Sequence, residues 1–101
     1  MDEKFIAKAA KAVGDRNRLR ILQEIARQGS ITCAEAQQLT SLAQPSISHH
    51  IKLLTESGLV DADKNGRCVY LSLNKEKMGE FTTFFGGITH QQQPLRAKAM
   101  G

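Results

Sequence analysis

Cysteine is scarce in this sequence, which has 101 residues and only two cysteines, Cys33 and Cys68. Two such distant thiols exclude a disulfide-stapled scaffold and a zinc module built from four cysteines. No apolar run approaches the roughly 18 residues of a membrane-spanning helix. The first residues carry acids and lack the basic patch and apolar block that an export signal needs. We therefore expect a cytoplasmic protein with no membrane partner and two free thiols.

What the sequence does contain is an ordinary globular composition with a basic bias. Hydrophobic residues make up 41% and charged residues 24%, values typical of a soluble folded domain. Lys and Arg number 14 against 10 Asp and Glu, which gives a net charge of +4. Half of those 14 basic residues lie within the first 27 positions. This charge is compatible with a polyanionic partner but does not prove one.

Two amphipathic helices are predicted at the N-terminus. Asp2 caps the first and Gly14 ends it. Asp15 caps the second and Gly29 ends it, with the arginines mostly off the apolar stripe. The predicted apolar stripes are Phe5, Ile6, Ala9, Ala10 and Val13 in the first helix, and Leu19, Leu22, Ile25 and Ala26 in the second.

Two further helices follow. Thr32 to Glu35 has the S/T-x-x-E form of a capping box, which predicts a third helix that runs to about Leu39. Pro45 is tolerated in the first turn of a helix, where no amide donor is needed, so a fourth helix is predicted to begin near Gln44. Gly58 closes this helix. Its apolar residues recur at i, i+4 and i+7, as Ile47, Ile51 and Leu54.

From Leu59 the sequence period changes from 3.6 to 2, which predicts strands over Leu59–Asp63 and Cys68–Leu73. Asn65-Gly66 lies between them and suits a type I′ turn, because both residues accept positive φ. The resulting β-hairpin would have a basic tip, from Lys64 to Arg67.

A last helix is predicted after Asn74, a candidate N-cap. Gly86-Gly87 either ends this helix or provides a site of close packing. The segment after Ile88 has few large apolar groups, so it is expected to be mobile. The predicted organisation is one domain over residues 1–88 and a flexible tail over residues 89–101. The apolar residues assigned to the last helix are Met78, Phe81, Phe84 or Phe85, and Ile88.

The order helix, helix, short helix, helix, hairpin, helix is that of a winged helix-turn-helix. The predicted fold class is therefore mainly α with a small β-hairpin, in the order α-α-α-α-β-β-α. Four segments resemble the ArsR (ArsR/SmtB) family of bacterial repressors in order and spacing: Gly14–Leu22, Gln44–Leu54, Ser57–Val60 and Gly66–Leu71. The resemblance implies a transcriptional repressor whose partner is double-stranded DNA.

The fourth helix is expected to read that DNA, because the N-terminal part of the second helix of a helix-turn-helix meets base edges. With its apolar stripe packed inward, the residues turned outward are Gln44, Pro45, Ser46, Ser48, His49 and Lys52. The glutamine, serines and first histidine are placed to read bases or hold phosphates, and the lysine to contact the backbone. Lys64 and Arg67 would lie beside the minor groove or its phosphates, although a solvated basic turn is the alternative.

A metal site is not expected. Adjacent residues on a helix point about 100° apart, so His49 and His50 cannot easily share an ion. His50 is instead predicted to pack against neighbouring elements. Many relatives sense metals through a Cys-x-Cys pair on the third helix, but Ile31 occupies the first of these positions here. The last helix offers Glu76, Glu80 and a distant His90 rather than a well-spaced ligand set, so no metal or cofactor is expected.

The resemblance also implies a homodimer built from the first and last helices, which would bind a palindromic operator. The alternative is that Phe81, Phe84 and Phe85 only close the core of the monomer. Cys33 is expected in the first turn of a helix, where a thiol has a lowered pKa, and a disulfide between Cys33 and Cys68 could form a redox switch. The alternative is that both are ordinary small buried residues.

The predicted function is a homodimeric repressor that is released from its operator by a signal, redox or small molecule rather than a typical metal. The competing hypothesis is a winged helix that binds only other proteins, which predicts acidic or apolar residues on the exposed face of the fourth helix. An enzyme is not expected, because Ser46, Ser48 and His49 lack a pocket, an orienting carboxylate and a glycine-rich phosphate loop.

Overall fold

The computed structural model describes residues 2–91 of the chain. Within this range lie five helices and three strands. The helices are α1 (Glu3–Val13), α2 (Arg16–Gln28), α3 (Cys33–Thr40), α4 (Gln44–Glu56) and α5 (Lys75–His90), and the strands are β1 (Ile31–Thr32), β2 (Val60–Asn65) and β3 (Cys68–Leu73). None of the helices in residues 2–91 is both long and apolar enough to cross a membrane.

Side-chain caps start four of the five helices, at the positions that the sequence predicts. Asp2, Asp15 and Asn74 each accept a hydrogen bond from a backbone amide in the first turn of their helix. Thr32 and Glu35 form both hydrogen bonds of the capping box. α4 lacks a side-chain cap and begins with proline in its first turn.

The hairpin belongs to a three-stranded antiparallel sheet in the order β1-β3-β2. The two-residue strand β1 was not predicted from the sequence; Ile31 pairs with Leu71. The predicted type I′ turn is wrong: Asn65 pairs with Cys68, which leaves Gly66 and Arg67 as the loop. Only the first loop residue has positive φ, +66° at Gly66, as in a type II′ turn.

The core forms where α2, α3 and α4 meet the sheet, and its largest fully buried side chains are Ile21, Ile25, Ile31, Ile47, Leu54, Leu59, Val60 and Leu71. Two of the predicted stripes need correction. In α1, Ala12 is buried and Ala10 is exposed. In α2, Leu19 and Ala26 are exposed, and the buried positions are Arg18, Ile21, Leu22 and Ile25. The core therefore meets a face of α2 turned by one residue from the predicted stripe.

α5 has no buried residue in the single chain. It continues through Gly86-Gly87 to His90, so these glycines do not end the helix. Beyond the adjoining residues and the nearby backbone of α5, a Cβ atom at either glycine would meet no atom of residues 2–91 within 4 Å, so neither is a site of close packing in this range. The predicted domain end at residue 88 stays a prediction, and residues 92–101 of the predicted tail lie outside the described residues.

Candidate nucleic-acid interface

α4 has one buried face and one exposed polar face. Ile47 and Leu54 are 1% and 0% exposed, and Ile51 is half-buried. The six side chains predicted to face DNA are all exposed: Gln44, Pro45, Ser46, Ser48, His49 and Lys52. The only carboxylate of the helix is Glu56, at its far end. This exposed face therefore combines hydrogen-bonding groups with positive charge.

The hairpin separates its charges by strand alternation. Lys64 lies opposite Val69, so both side chains point to the face of the sheet that meets the core. Asp63 lies opposite Tyr70 on the other face. Lys64 and Arg67 are both exposed. Lys64 therefore lies on the same sheet face as Val69, which packs against the core, whereas Asp63 lies on the opposite face.

A groove of about 530 Å³ lies between α4 on one side and α3 and β3 on the other. Gln44, Ser48 and Lys52 line it from α4, Val69 lines it from β3, and Cys33 lines it from the start of α3. The amide Nε2 of Gln44 donates to Ser48 Oγ at 3.2 Å, so these two side chains are linked on the edge of the groove. Three of the predicted DNA-contacting residues thus lie side by side along one groove.

A cluster behind α4 holds the helix in place. His50 Nδ1 lies 2.9 Å from Arg18 Nη1 and 3.7 Å from Asp15 Oδ2. The prediction that His50 packs against neighbouring elements is confirmed. Arg18 was missed, because its contacts join residues far apart in the sequence. Its one local signal is the spacing Arg18, Ile21, Leu22 and Ile25, which places the arginine at the end of the buried face of α2.

The two cysteines are free thiols in different surroundings. Cys33 is half-buried, and burial raises its pKa. The expectation of a lowered pKa in the first turn of α3 is therefore wrong, because desolvation of the thiolate is the dominant effect. Cys33 packs against the core together with Val69, whereas Cys68 is exposed. Cys68 is thus not the ordinary buried residue of the alternative interpretation.

Potential metal ligands do not cluster in the part of the chain that is described: among residues 2–91, no group of three His, Cys, Asp or Glu side chains comes together. His49 and His50 have ring centroids 6.2 Å apart. On α5, the Glu80 carboxylate lies 3.8 Å from the Lys77 ammonium.

α5 presents an apolar surface to solvent. Phe85 and Ile88 are 44% and 51% exposed, and Phe81 and Phe84 each meet Phe85 edge to face at 5.3 Å. An almost wholly apolar groove of about 380 Å³ separates α5 from α2. None of the three phenylalanines is fully buried in the single chain, and Phe85 is exposed, so they are not the closed core residues of the alternative interpretation. They leave a surface larger than isolated exposed side chains would make.

Comparison with known proteins is consistent with this architecture. The family profile described as "Helix-turn-helix domain" matches residues 13–62. The transcriptional repressor SdpR of Bacillus subtilis is 31% identical over 64 residues, which cover 63% of this chain and 70% of that protein. The arsenical resistance operon repressor of the same organism is 28% identical over 68 residues, which cover 67% of this chain and 65%, just under two thirds, of that repressor.

Solved structures show the same fold. A crystal structure of an ArsR family transcriptional regulator superimposes with a TM-score of 0.82 at 23% identity, covering 90% of this chain and 93% of the other. The solution structure of a homodimeric winged helix-turn-helix DNA-binding domain from Mycobacterium bovis has a TM-score of 0.69 at 22% identity, covering 88% and 82%. The predicted winged helix-turn-helix fold is confirmed.

Proposed function

We propose that this chain, which belongs to the ArsR family of winged-helix transcriptional regulators, is a repressor that binds a specific DNA sequence as a homodimer. The observation that carries the proposal is the exposed polar and basic face of α4, which lies on a helix anchored to the core by Ile47 and Leu54. A module that binds only proteins would expose acidic or apolar residues there, whereas this face is polar and basic apart from Pro45 in the first turn.

The proposed base-reading residues are Gln44, Ser46, Ser48 and His49, with Pro45 beside them at the start of the helix. The Gln44 amide can pair with adenine through two hydrogen bonds, and the hydroxyls and imidazole can serve bases or phosphates. Lys52 is proposed to contact the DNA backbone. Lys64 and Arg67 are proposed to contact phosphates beside the minor groove, where positive charge is favourable because counterions are released.

The proposed dimer uses α1 and α5. The exposed apolar stripe of α5 supports this assignment, since Phe85 and Ile88 find no cover within residues 2–91 of the single chain. Two-fold symmetry would place the two α4 helices about one turn of DNA apart, so we propose that the operator is an imperfect palindrome.

The proposed release signal is a small molecule or an oxidant. Of the two thiols in the proposed redox switch, Cys68 is the more accessible to an oxidant, because Cys33 is half-buried and its pKa is raised. Operator binding by the reduced, oxidised and zinc-loaded protein, measured side by side, separates redox sensing, metal sensing and neither.

The decisive experiment selects DNA from a random duplex library with the wild-type protein and then measures binding by variants of α4. His49→Ala or Gln44→Ala should lower the preference for the selected duplex over unselected DNA by about tenfold to a hundredfold, because a good base contact is worth about 1–3 kcal/mol. Glu56→Ala, at the far end of the same helix, is the matched control and should bind like the wild type. Unchanged selectivity in both test variants, with the dimer intact, would refute base reading by α4.

A further inference from the structure

Arg18 is a buried arginine that joins three helices. It lies in the first turn of α2 and is 8% exposed. Its Nε donates to the backbone oxygen of Ala12 and its Nη2 donates to that of Lys11, at 3.2 Å. Its Nη1 lies 2.9 Å from Nδ1 of His50 on α4. One planar guanidinium therefore connects the carboxyl end of α1 to the middle of the helix proposed to read DNA.

The chemistry of the contact fixes the direction of the hydrogen bond. A guanidinium only donates, so His50 Nδ1 must accept with its lone pair, and the ring then carries its proton on Nε2. The His50 side chain is only 15% exposed. Asp15 Oδ2 lies 3.7 Å from the same nitrogen, and its negative charge interacts favourably with the positive charge of the buried arginine. The contact is therefore specific in geometry and in the role of each atom.

The contact between Arg18 and His50 also affects the position of the side chains proposed to read DNA. His49 is the neighbour of His50, so any rotation or shift of α4 about this anchor moves His49 relative to α1. The backbone carbonyls of Lys11 and Ala12 at the end of α1 accept from a rigid fork rather than from a flexible ammonium, which limits such movement.

We propose that Arg18 is a positioning residue that, through His50, fixes the placement of α4 relative to α1 and thereby sets the spacing between the two DNA half-sites. The proposal rests on the proposed function, because it takes α1 as a dimer helix and α4 as the reading helix. In a symmetric dimer, a small displacement of α4 relative to α1 occurs in both subunits, and the two displacements point in opposite directions along the DNA. When α4 is held in one place relative to α1, the dimer therefore fits half-sites of only one spacing, about 10 base pairs.

The experiment compares duplexes that differ only in spacing. The duplex selected from a random library by the wild-type protein is remade with its centre lengthened or shortened by one and by two base pairs. The wild type should lose about tenfold in affinity per base pair altered, equivalent to about 1.4 kcal/mol. Arg18→Met, which keeps the aliphatic stem and removes the donors, and His50→Leu should each flatten this profile to less than about threefold, since about 0.7 kcal/mol or less would then separate the spacings.

A conservative variant and a double variant distinguish positioning from general packing. His50→Asn keeps an acceptor oxygen near the place of Nδ1 and should restore most of the spacing preference, whereas His50→Leu should not. Arg18→Met combined with His50→Leu should be no flatter than either alone, because both remove one contact. If Arg18→Met proves unfolded by circular dichroism, Arg18→Lys, which keeps the charge but donates from one nitrogen and so cannot reach all three acceptors as the guanidinium fork does, should give an intermediate profile.

The outcomes are separable. Folded variants that are less stable but keep the wild-type spacing profile would overturn the inference, since a structural role alone lowers the unfolding free energy without changing which spacing fits. Arg18→Lys with a wild-type profile would do the same if Arg18→Met does not fold. A wild-type protein that selects no duplex from the library would instead overturn the proposed function, and this inference with it.

Discussion

α4 and α5 both carry a stripe of large apolar side chains, yet the chain covers the stripe of α4 and leaves that of α5 open. Ile47 and Leu54 are fully buried beneath α4, whereas Phe85 and Ile88 on α5 are about half exposed. The polar face is thus the exposed one on α4, and an apolar face is exposed on α5. Two helices that each carry an apolar stripe therefore form two kinds of surface, one suited to nucleic acid and the other to a second protein surface.

The largest effect should come from the covered stripe. Leu54→Ala should lower the free energy of unfolding by about 2–5 kcal/mol, since it removes buried methyl groups and leaves a cavity. Urea denaturation measures the change. Lys52→Ala, on the exposed face of the same helix, should change stability by less than about 0.5 kcal/mol. Equal costs for the two variants would mean that α4 is not divided into a core face and a solvent face.

The open stripe of α5 should control assembly rather than folding. Phe85→Glu places a charge in the proposed interface and should convert the dimer to a monomer with an unchanged circular dichroism spectrum, as sedimentation would show. Operator affinity should fall by about a hundredfold or more, because the second half-site contact is no longer intramolecular. Thr83→Glu adds the same charge on the opposite side of α5 and should leave the dimer intact; a monomeric Thr83→Glu variant would argue against an interface on the phenylalanine stripe.

The N-caps, which depend on a few neighbouring residues, were predictable from the sequence, and β1 and the contacts of Arg18, which depend on distant residues, were not. The caps Asp15, Thr32 and Asn74 were identified correctly, because an N-cap acts within three positions of itself. β1 was missed, since two residues show no periodicity and only pairing with β3 defines them. Arg18 was missed for a similar reason: its acceptors lie on α1 and α4, and no local pattern brings them together.

The exposed face of α4 was predictable because helical spacing alone decides which side chains lie opposite the buried stripe. Which of these residues meets a base and which meets a phosphate depends on the partner, so neither the sequence nor the free protein determines it. The salt dependence of DNA binding distinguishes phosphate contacts from base contacts. This measurement tests the residues of α4 and the hairpin, which are proposed to contact DNA, and not those of α5.

Lys52→Ala should weaken binding to all DNA sequences and reduce its salt dependence. Loss of one phosphate contact lowers the slope of log affinity against log salt by about 0.9, or about 1.8 in a dimer. Arg67→Ala is expected to behave in the same way at the hairpin. Lys4→Ala removes the same charge from an exposed position of α1 and should leave the slope within about 0.5 of the wild-type value. An unaltered slope in the Lys52 variant would remove that residue from the DNA contacts.

The smallest expected effect concerns Asp15, the N-cap of α2, whose carboxylate lies near His50 of α4. The backbone amide of Arg18 donates to the Asp15 carboxylate and holds its pKa below the usual value, helped by the charge of the same arginine. A lowered folded-state pKa stabilises the fold above the unfolded pKa of about 4, and this contribution is lost as the pH falls through the folded value.

Asp15→Asn keeps the cap without the charge, so between pH 5 and about pH 2.5 it should lose less unfolding free energy than the wild type. The difference should stay below the roughly 1 kcal/mol of a whole N-cap, because the Asp15 side chain is 32% exposed and water screens its charge. Asp2→Asn, at the exposed cap of α1, is the control and should follow the wild-type profile more closely. If both variants lose stability equally with acid, the buried arginine does not favour the ionised form of Asp15.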